Sequence, residues 1–289
     1  MECLILGGTG TLGQAMLRRL LKAGLRRTDI TIYSRDELKQ QQLKAAHPGI
    51  KCMLGDIRDK NRLKQAAFGK DIVFHFAALK HIDVLEENAE ESVKTNIIGT
   101  INAAQAAVCC AVKYFVFSST DKAVLPINTY GYCKGIGERY LTSMNRLPGE
   151  TKFSVYRWGN VVGSRGSAIP KFAKQLLAGE TVTITHPAMT RFWIDIDEAA
   201  KYVYDTYHVG GDILVPAMKA AKVVTVINTI ANMLGVKQFA MKEIGIRAGE
   251  KIHECLYTSH DSCVRSDTTD HYTQEELEAL LAPALEKYL

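Results

Sequence analysis

Short runs of β-branched and aromatic residues alternate with longer stretches of helical period over the first half of the chain, and that alternation leaves few folds open. The short runs fall at residues 2–6, 30–33, 51–54, 72–75, 114–117 and 153–156. The helical stretches between them fall at 11–23, 36–46, 60–67, 92–112 and 130–144. Strands joined through a helix must cross over and lie parallel, whereas a tight turn would pair them antiparallel. The expected class is therefore α/β, a doubly wound parallel sheet with helices on both faces. Beyond about residue 160 the pattern loosens. Residues 159–166 form a Gly/Ser loop, 169–177, 197–207 and 223–234 have helical period, 212–215 is strand-like, and 274–289 reads as a short amphipathic helix. The expected organisation is a sheet domain over 1–158, with segments around 190–215 returning to it, and a smaller interleaved lobe over 159–289.

A chain of 289 residues, 47% hydrophobic and 23% charged, has the material for a large core, which excludes disordered and fibrous classes. The longest weakly charged stretch, 97–112, is shorter than the ~18–20 apolar residues of a membrane span, and Asn102 and Gln105 interrupt it. No basic region precedes an apolar run at the start, so no signal peptide is expected and the expected location is cytoplasmic. The net charge of +5 is spread along the chain. Its one cluster, Arg18, Arg19, Lys22, Arg26 and Arg27, follows helical spacing and reads as a solvated face rather than a nucleic-acid site. The seven cysteines, Cys3, Cys52, Cys109, Cys110, Cys133, Cys255 and Cys263, form no Cys-x-x-Cys pair and read as reduced core thiols. The eight histidines show no metal-ligand spacing, so no metal is expected.

Gly7-Gly8-Thr9-Gly10-Thr11-Leu12-Gly13 follows the first strand and opens the first helix. Glycines there let the backbone turn sharply and approach a pyrophosphate, which the N–H groups of the helix N-terminus then meet. The second strand ends in Ser34, Arg35 and Asp36, with Lys39 one turn further on. An acidic residue about 20 positions past the glycines usually holds the ribose hydroxyl of NAD, and an Arg accommodates the 2′-phosphate of NADP. Arg35 favours NADP; Asp36 beside it keeps NAD as the alternative. Asp56-Ile57 after the third strand is placed to meet the adenine, or else Asp56 caps a helix.

Tyr130 and Lys134 are four residues apart, on one helical face. A lysine ammonium beside a phenol lowers its pKa and makes it a base for a hydroxyl. Ser118-Ser119-Thr120-Asp121-Lys122 directly follows the fifth strand, at the carboxyl end where open α/β sheets place their ligands. Both motifs are expected in one site.

The glycine turn, the Tyr130-x-x-x-Lys134 pair and the expected topology resemble an extended short-chain dehydrogenase/reductase with a Rossmann domain. More closely, Tyr33-Ser34-Arg35-Asp36-Glu37-Leu38-Lys39, Ala77-Ala78-Leu79-Lys80-His81, Lys94-Thr95-Asn96, Ser119-Thr120-Asp121-Lys122-Ala123, Pro126-Ile127-Asn128, the loop from Gly159-Asn160 through Arg165 to Ser167, and Met189-Thr190-Arg191-Phe192-Trp193 are similar to C5-inverting UDP-N-acetylglucosamine 4,6-dehydratases of the pseudaminic acid type. The resemblance covers roughly residues 1–256. It implies a 4-keto-6-deoxy product made through tightly bound NADP, with Asp121 protonating the leaving C6 hydroxyl, Lys122 taking the C5 proton and Thr120 holding the C4 oxygen. For Lys122 to act as a base, burial and cationic neighbours must lower its pKa towards neutrality. The same resemblance implies that Ala77, Ala78, Lys80 and Asn96 border the cofactor. It assigns the substrate to Lys80, Asn160 and Arg191, its diphosphate to Arg247 and its ribose to Glu250. His75 and His81 read as structural.

The chain departs from the family pattern at Trp158, Tyr132-Cys133, Ala248 and Asn88-Ala89. Tyr130 stands where C5-retaining relatives tend to carry Met, which favours inversion. The implied partners are a UDP-sugar and further copies of the chain, with no nucleic acid and no membrane. Two alternatives remain at this point: a UDP-hexose 4-epimerase, in which Lys122 would be idle, and a non-catalytic dinucleotide sensor on the same fold.

Overall fold

The computed structural model describes residues 1–164, 166–211, 213–258, 263–286 and 288. The first six strands are β1 Cys3–Leu6, β2 Ile30–Ser34, β3 Lys51–Leu54, β4 Ile72–His75, β5 Tyr114–Ser118 and β6 Lys152–Tyr156. Three further strands, β7 Asn160–Val161, β8 Val182–Ile184 and β9 Thr190–Ile194, lie outside the main sheet; β10 Ile213–Leu214 rejoins it beside β6. The order is β10-β6-β5-β4-β1-β2-β3, every pair parallel.

Between these strands run α1 Thr11–Lys22, α2 Glu37–Ala46, α3 Lys60–Ala67, α4 Ile82–Glu87, α5 Ala89–Ser92, α6 Gly99–Cys109, α7 Thr129–Met144, α8 Ala168–Leu177 and α9 Ile196–Thr206. Side chains of a strand alternate between faces, so β1 sends Cys3 and Ile5 to one core and Leu4 and Leu6 to the other. The first core is covered by α1, α2 and α9, the second by α3, α6 and α7. A third core, built by α8, α10 Val223–Met233 and α11 Gln274–Leu285, surrounds Trp193. The basic face of α1 meets α9, with Arg18 2.6 Å from Asp197 and Arg19 3.1 Å from Asp205. No helix among the described residues is long and apolar enough to cross a membrane.

The stretch expected as one helix over 92–112 is interrupted. Val93–Ile98 is a wider π-helical turn, and its Asn96 brackets the loop after β4, accepting from Leu79 N at 2.9 Å and donating to Leu79 O at 2.8 Å. Such single turns recur at functional sites because they re-aim one side chain without breaking the helix. The second half also holds short strands the pattern did not separate: β9 pairs with β7 and with β11 Ala220–Lys222, and β8 with β12 Met241–Glu243. β13 Cys255–Thr258 pairs with β14 Cys263–Arg265. That hairpin corrects the cysteine expectation, since Cys255 and Cys263 form a disulfide and Cys109 is exposed rather than in a core. Arg165, Asp212, Lys287 and Leu289 lie outside the described residues.

His75 is fully buried at the end of β4, its Nε2 3.0 Å from Thr100 Oγ1. Burial, with the charge of Lys134 adding, lowers its pKa from 6.5 to about 3. The unfolded chain therefore takes up a proton below about pH 6.5 that the folded chain refuses until near pH 3, so stability rises with pH across that interval and is lost on acidification. Urea unfolding of His75→Gln at pH 4.5 and 7.5 should show a difference between the two pH values that is smaller by roughly 2–3 kcal/mol than that of the parent. An unchanged difference would place the acid sensitivity elsewhere.

Candidate active site

The loops after β5 and β6 are stitched together beyond the strands themselves. Ser119 N donates to Tyr156 O at 2.6 Å and Asp121 N to Trp158 O at 2.9 Å, which holds Thr120 and the single turn Asp121–Ala123 at the carboxyl edge of the sheet. Asn128 caps α7 by accepting from Gly131 N at 2.7 Å, and the helix it starts carries Tyr130 and Lys134. Gly131 packs directly on the loop after β5: a Cβ there would strike the backbone oxygen of Lys122. A backbone atom cannot swing aside as a side chain can. Gly131→Ala should therefore displace Lys122 relative to Tyr130 and lower kcat by about 100-fold, the scale of an ångström-level misplacement. A variant with native far-UV circular dichroism and full kcat would contradict that packing role.

Asp121 is fully buried; its Oδ1 accepts from Thr120 Oγ1 at 3.0 Å and Lys122 Nζ at 2.9 Å, and its Oδ2 has no hydrogen-bond partner among the described residues. Burial raises its pKa, against the charge of Lys122. For Lys122 burial works downwards, but the carboxylates of Asp121 and Glu254 overcome it and hold the ammonium above its ordinary value. That reverses the expectation of a depressed Lys122. The lysine near neutrality is Lys134, lowered by burial to about 7, with its Nζ 3.8 Å over the Phe117 ring. Burial pushes the Tyr130 phenol up to about 12, opposed by the charge of Lys122 and a hydrogen bond with Thr120. Lys122 is a cation that opposes the rise of the phenol.

These groups open on a cleft of about 860 Å³, within the range of small-ligand sites. Thr120, Lys122, Tyr130 and Lys134 line it, with Asp121 beneath. So do Gly7, Gly10, Thr11, Leu12 and Gly13 at the turn, Arg35 just after β2, Lys39 in the first turn of α2, and Ala78, Lys80 and Asn160. Thr9, Ser34, Ile57 and Asn96 are buried behind the lining, and Ala77 backs Gly7. Asp56 is engaged by Arg58 at 2.7 Å and Arg35 at 3.4 Å. Arg191 is buried, with its guanidinium donating to the carbonyls of Thr190, Ile252 and Lys251. A substrate contact there would have to displace them. Arg247 is exposed, Glu250 is half-buried, and neither borders the cleft. A larger cleft of about 1730 Å³, beside α9 and α11, shares only Thr11 and Ile196 with it and holds none of the expected catalytic side chains.

The turn fits a dinucleotide. Gly7 has φ +77° and a Cβ there would strike Ala77 N at 2.7 Å, so only glycine lets β1 and β4 close on the turn. The N-cap Gly10 brings no side-chain cap to α1 and the first turn carries no carboxylate, so the positive end of the helix faces the cleft.

Two buried groups escaped sequence reasoning. Glu138 accepts from Ser119 Oγ at 2.5 Å and takes Arg157 in a two-point contact, and Arg157 reaches Leu256 O at 2.9 Å. Glu254 comes within 3.4 Å of Lys122. Their only local signal is a carboxylate inside an otherwise apolar or basic run, and nothing near residue 254 points to residue 122.

Residues 3–276 match the family described as polysaccharide biosynthesis protein. The UDP-N-acetylglucosamine 4,6-dehydratase (inverting) of Campylobacter jejuni subsp. jejuni serotype O:2 is 39% identical over 93% of this chain and 81% of its own length. A UDP-glucose 4-epimerase of Rickettsia massiliae is 38% identical over the same shares. Among solved structures, Pen from Bacillus thuringiensis superposes with a TM-score of 0.91 at 31% identity, covering 98% of this chain and 97% of its own. DesIV, the dTDP-glucose 4,6-dehydratase of Streptomyces venezuelae with NAD bound, superposes with a TM-score of 0.84 at 20% identity over 99% and 97%, a likeness of fold. The chain belongs to the polysaccharide biosynthesis protein family, on a Rossmann fold of the extended short-chain dehydrogenase/reductase type, with the inverting UDP-N-acetylglucosamine 4,6-dehydratases among its relatives.

Proposed function

We propose that the protein is a UDP-N-acetylglucosamine 4,6-dehydratase that inverts C5 and works with NADP in the cleft. The observation that carries this reading is the Asp121–Lys122 contact of 2.9 Å beside Tyr130. Relatives named dehydratase and epimerase match at similar identity, so the weight falls on chemistry. Moving hydrogen at C4 needs only a tyrosine base and a cofactor, whereas expelling the C6 hydroxyl needs an additional acid and base.

When bound, NADP supplies the nicotinamide that takes the C4 hydrogen and later returns it to C6. Tyr130 accepts the C4 hydroxyl proton, and Thr120, which lines the cleft with it, holds the C4 oxygen. The ketone so made acidifies C5–H. Lys122, as the amine, takes that proton; Asp121, as the acid, protonates the C6 oxygen; the C6–O bond breaks, water leaves and the C5–C6 double bond forms. Inversion needs a proton delivered to the opposite face of C5, a task assigned to Tyr130, protonated in the first step. Lys80 and Asn160, which line the cleft, are assigned to the sugar and diphosphate; Arg247 and Glu250, to which the family resemblance gives the nucleotide, do not border the cleft, and Arg191 is held on backbone carbonyls.

Arg35, half exposed at the mouth of the cleft, supports NADP over NAD. Arg35→Ala should weaken NADP by about 10–100-fold, the worth of a charge-assisted contact, and NAD little. Titration of protein fluorescence with each cofactor measures this; equal losses would remove Arg35 from the 2′-phosphate site. The exposed apolar side chains Ile98, Val108, Tyr132 and Ile136 on neighbouring helices support a homo-oligomer, and the reading places the enzyme in the cytoplasm. Incubation with UDP-N-acetylglucosamine and mass spectrometry of the nucleotide sugar tests the function. Loss of one water is expected; an isobaric product would favour the epimerase, and binding without turnover a sensor.

A further inference from the structure

Glu254, immediately before β13, is almost fully buried and borders no part of the cleft. Its Oε1 lies 3.4 Å from Lys122 Nζ and 4.0 Å from Arg191 Nε, and its Oε2 lies 3.7 Å from Lys251 Nζ with no hydrogen bond of its own among the described residues. The cations are themselves anchored, Arg191 on three backbone carbonyls and Lys251 on Val124 O at 2.7 Å. Ser266 Oγ accepts from Glu254 N at 2.9 Å and so fixes the backbone. A buried carboxylate with this much support is expensive to keep unless its charge is used or compensated.

We infer that Glu254 is a positioning residue of the reaction, a fixed anion behind Lys122 that determines where the proton shared by Asp121 and Lys122 resides. The inference rests on the dehydratase reading for the meaning of Lys122 as the C5 base. With Lys122 as the ammonium, Glu254 and Asp121 balance it, and its charge faces Tyr130 during C4 oxidation. When that proton passes to Asp121 across 2.9 Å, Lys122 becomes the amine that C5 needs, and Arg191 and Lys251 remain to compensate Glu254. When C5 yields its proton, the ammonium forms again beside the waiting carboxylate. The charged or titratable groups that face Lys122 are Asp121, Tyr130, Arg191, Lys251 and Glu254. Glu254 is the one carboxylate among them that stands away from the substrate.

The test reads the ionisation of Lys122 directly and needs no turnover. The full-length protein is labelled with trace acetic anhydride between pH 7 and 9, and peptide mass spectrometry gives the rate at Lys122 relative to exposed Lys237. Only the amine reacts. Glu254→Gln should raise the relative rate by about tenfold, one unit of pKa. Glu254→Asp should keep it low, and Lys251→Met, which strips a cation from the cluster, should lower it. A rate in Glu254→Gln equal to that of the parent, or a rise in both Glu254→Gln and Lys251→Met as loosening alone would give, overturns the inference. Failure of the dehydratase reading appears separately, as no water loss by the parent protein on UDP-N-acetylglucosamine.

Discussion

Tyr130→Phe should remain folded and bind both cofactor and UDP-sugar, yet form ketone at least about 10³-fold more slowly, within the range for losing a positioned base. The phenol is one oxygen among several polar groups in the cleft, so binding has other supports. Ketone formation does not, because among the described residues Tyr130 is the one phenol lining the cleft, and the one carboxylate lining it, Glu91, is paired with Arg58 and Lys94. Without a ketone at C4 the C5 proton is not acidic, so no later step can begin. The variant should therefore show neither reduced-cofactor absorbance in a single turnover nor solvent deuterium at C5. Deuterium at C5 in Tyr130→Phe would mean that another group starts the reaction.

Asp121→Asn should separate the steps that follow. An amide keeps the volume of the buried side chain and can still contact Thr120, but it carries no proton to give to the departing hydroxyl. Ketone formation and C5 exchange should continue while water loss falls by about 10²–10⁴-fold. The substitution also strips one carboxylate from Lys122, which frees its amine and should move the acid limb of C5 exchange to lower pH. If exchange and water loss fall together, Asp121 serves the C5 step rather than the leaving group.

Much of the main sheet was legible because its inner strands are buried on both faces and read as largely apolar runs set between helices. β1, β2, β5 and β6 lie within a residue of the expected bounds, and β3 and β4 match them. The π-turn at Val93–Ile98 was not legible, since one extra residue in a helical turn barely disturbs a 3.6 period. The paired strands after residue 159 are two to five residues long, and β7 and β9 find each other only after an intervening helix, so neither turn chemistry nor alternation marks them. The disulfide between Cys255 and Cys263 depends on one such hairpin.

The candidate site divides in the same way. Tyr130, Lys134, Thr120, Asp121 and Lys122 were legible because each sits beside a local marker, a glycine-bearing helix start or a strand end. Which lysine is tuned was not. The pKa of Lys134 falls because it is buried, and that of Lys122 rises because the buried Asp121 lies beside it and Glu254 arrives from 132 positions away in the chain. Burial and long-range charge belong to the folded chain, and spacing along the sequence does not carry them.

The most direct test of the central claim is proton NMR of the reaction with UDP-N-acetylglucosamine in deuterium oxide, followed from the first turnovers. The account predicts a 4-keto-6-deoxy sugar, lighter by one water, carrying deuterium at C5 with the coupling constants of the L-arabino configuration. A D-xylo ketone at the earliest times would contradict inversion, and a 4-epimer that retains its C5 proton and C6 hydroxyl would contradict the dehydratase itself.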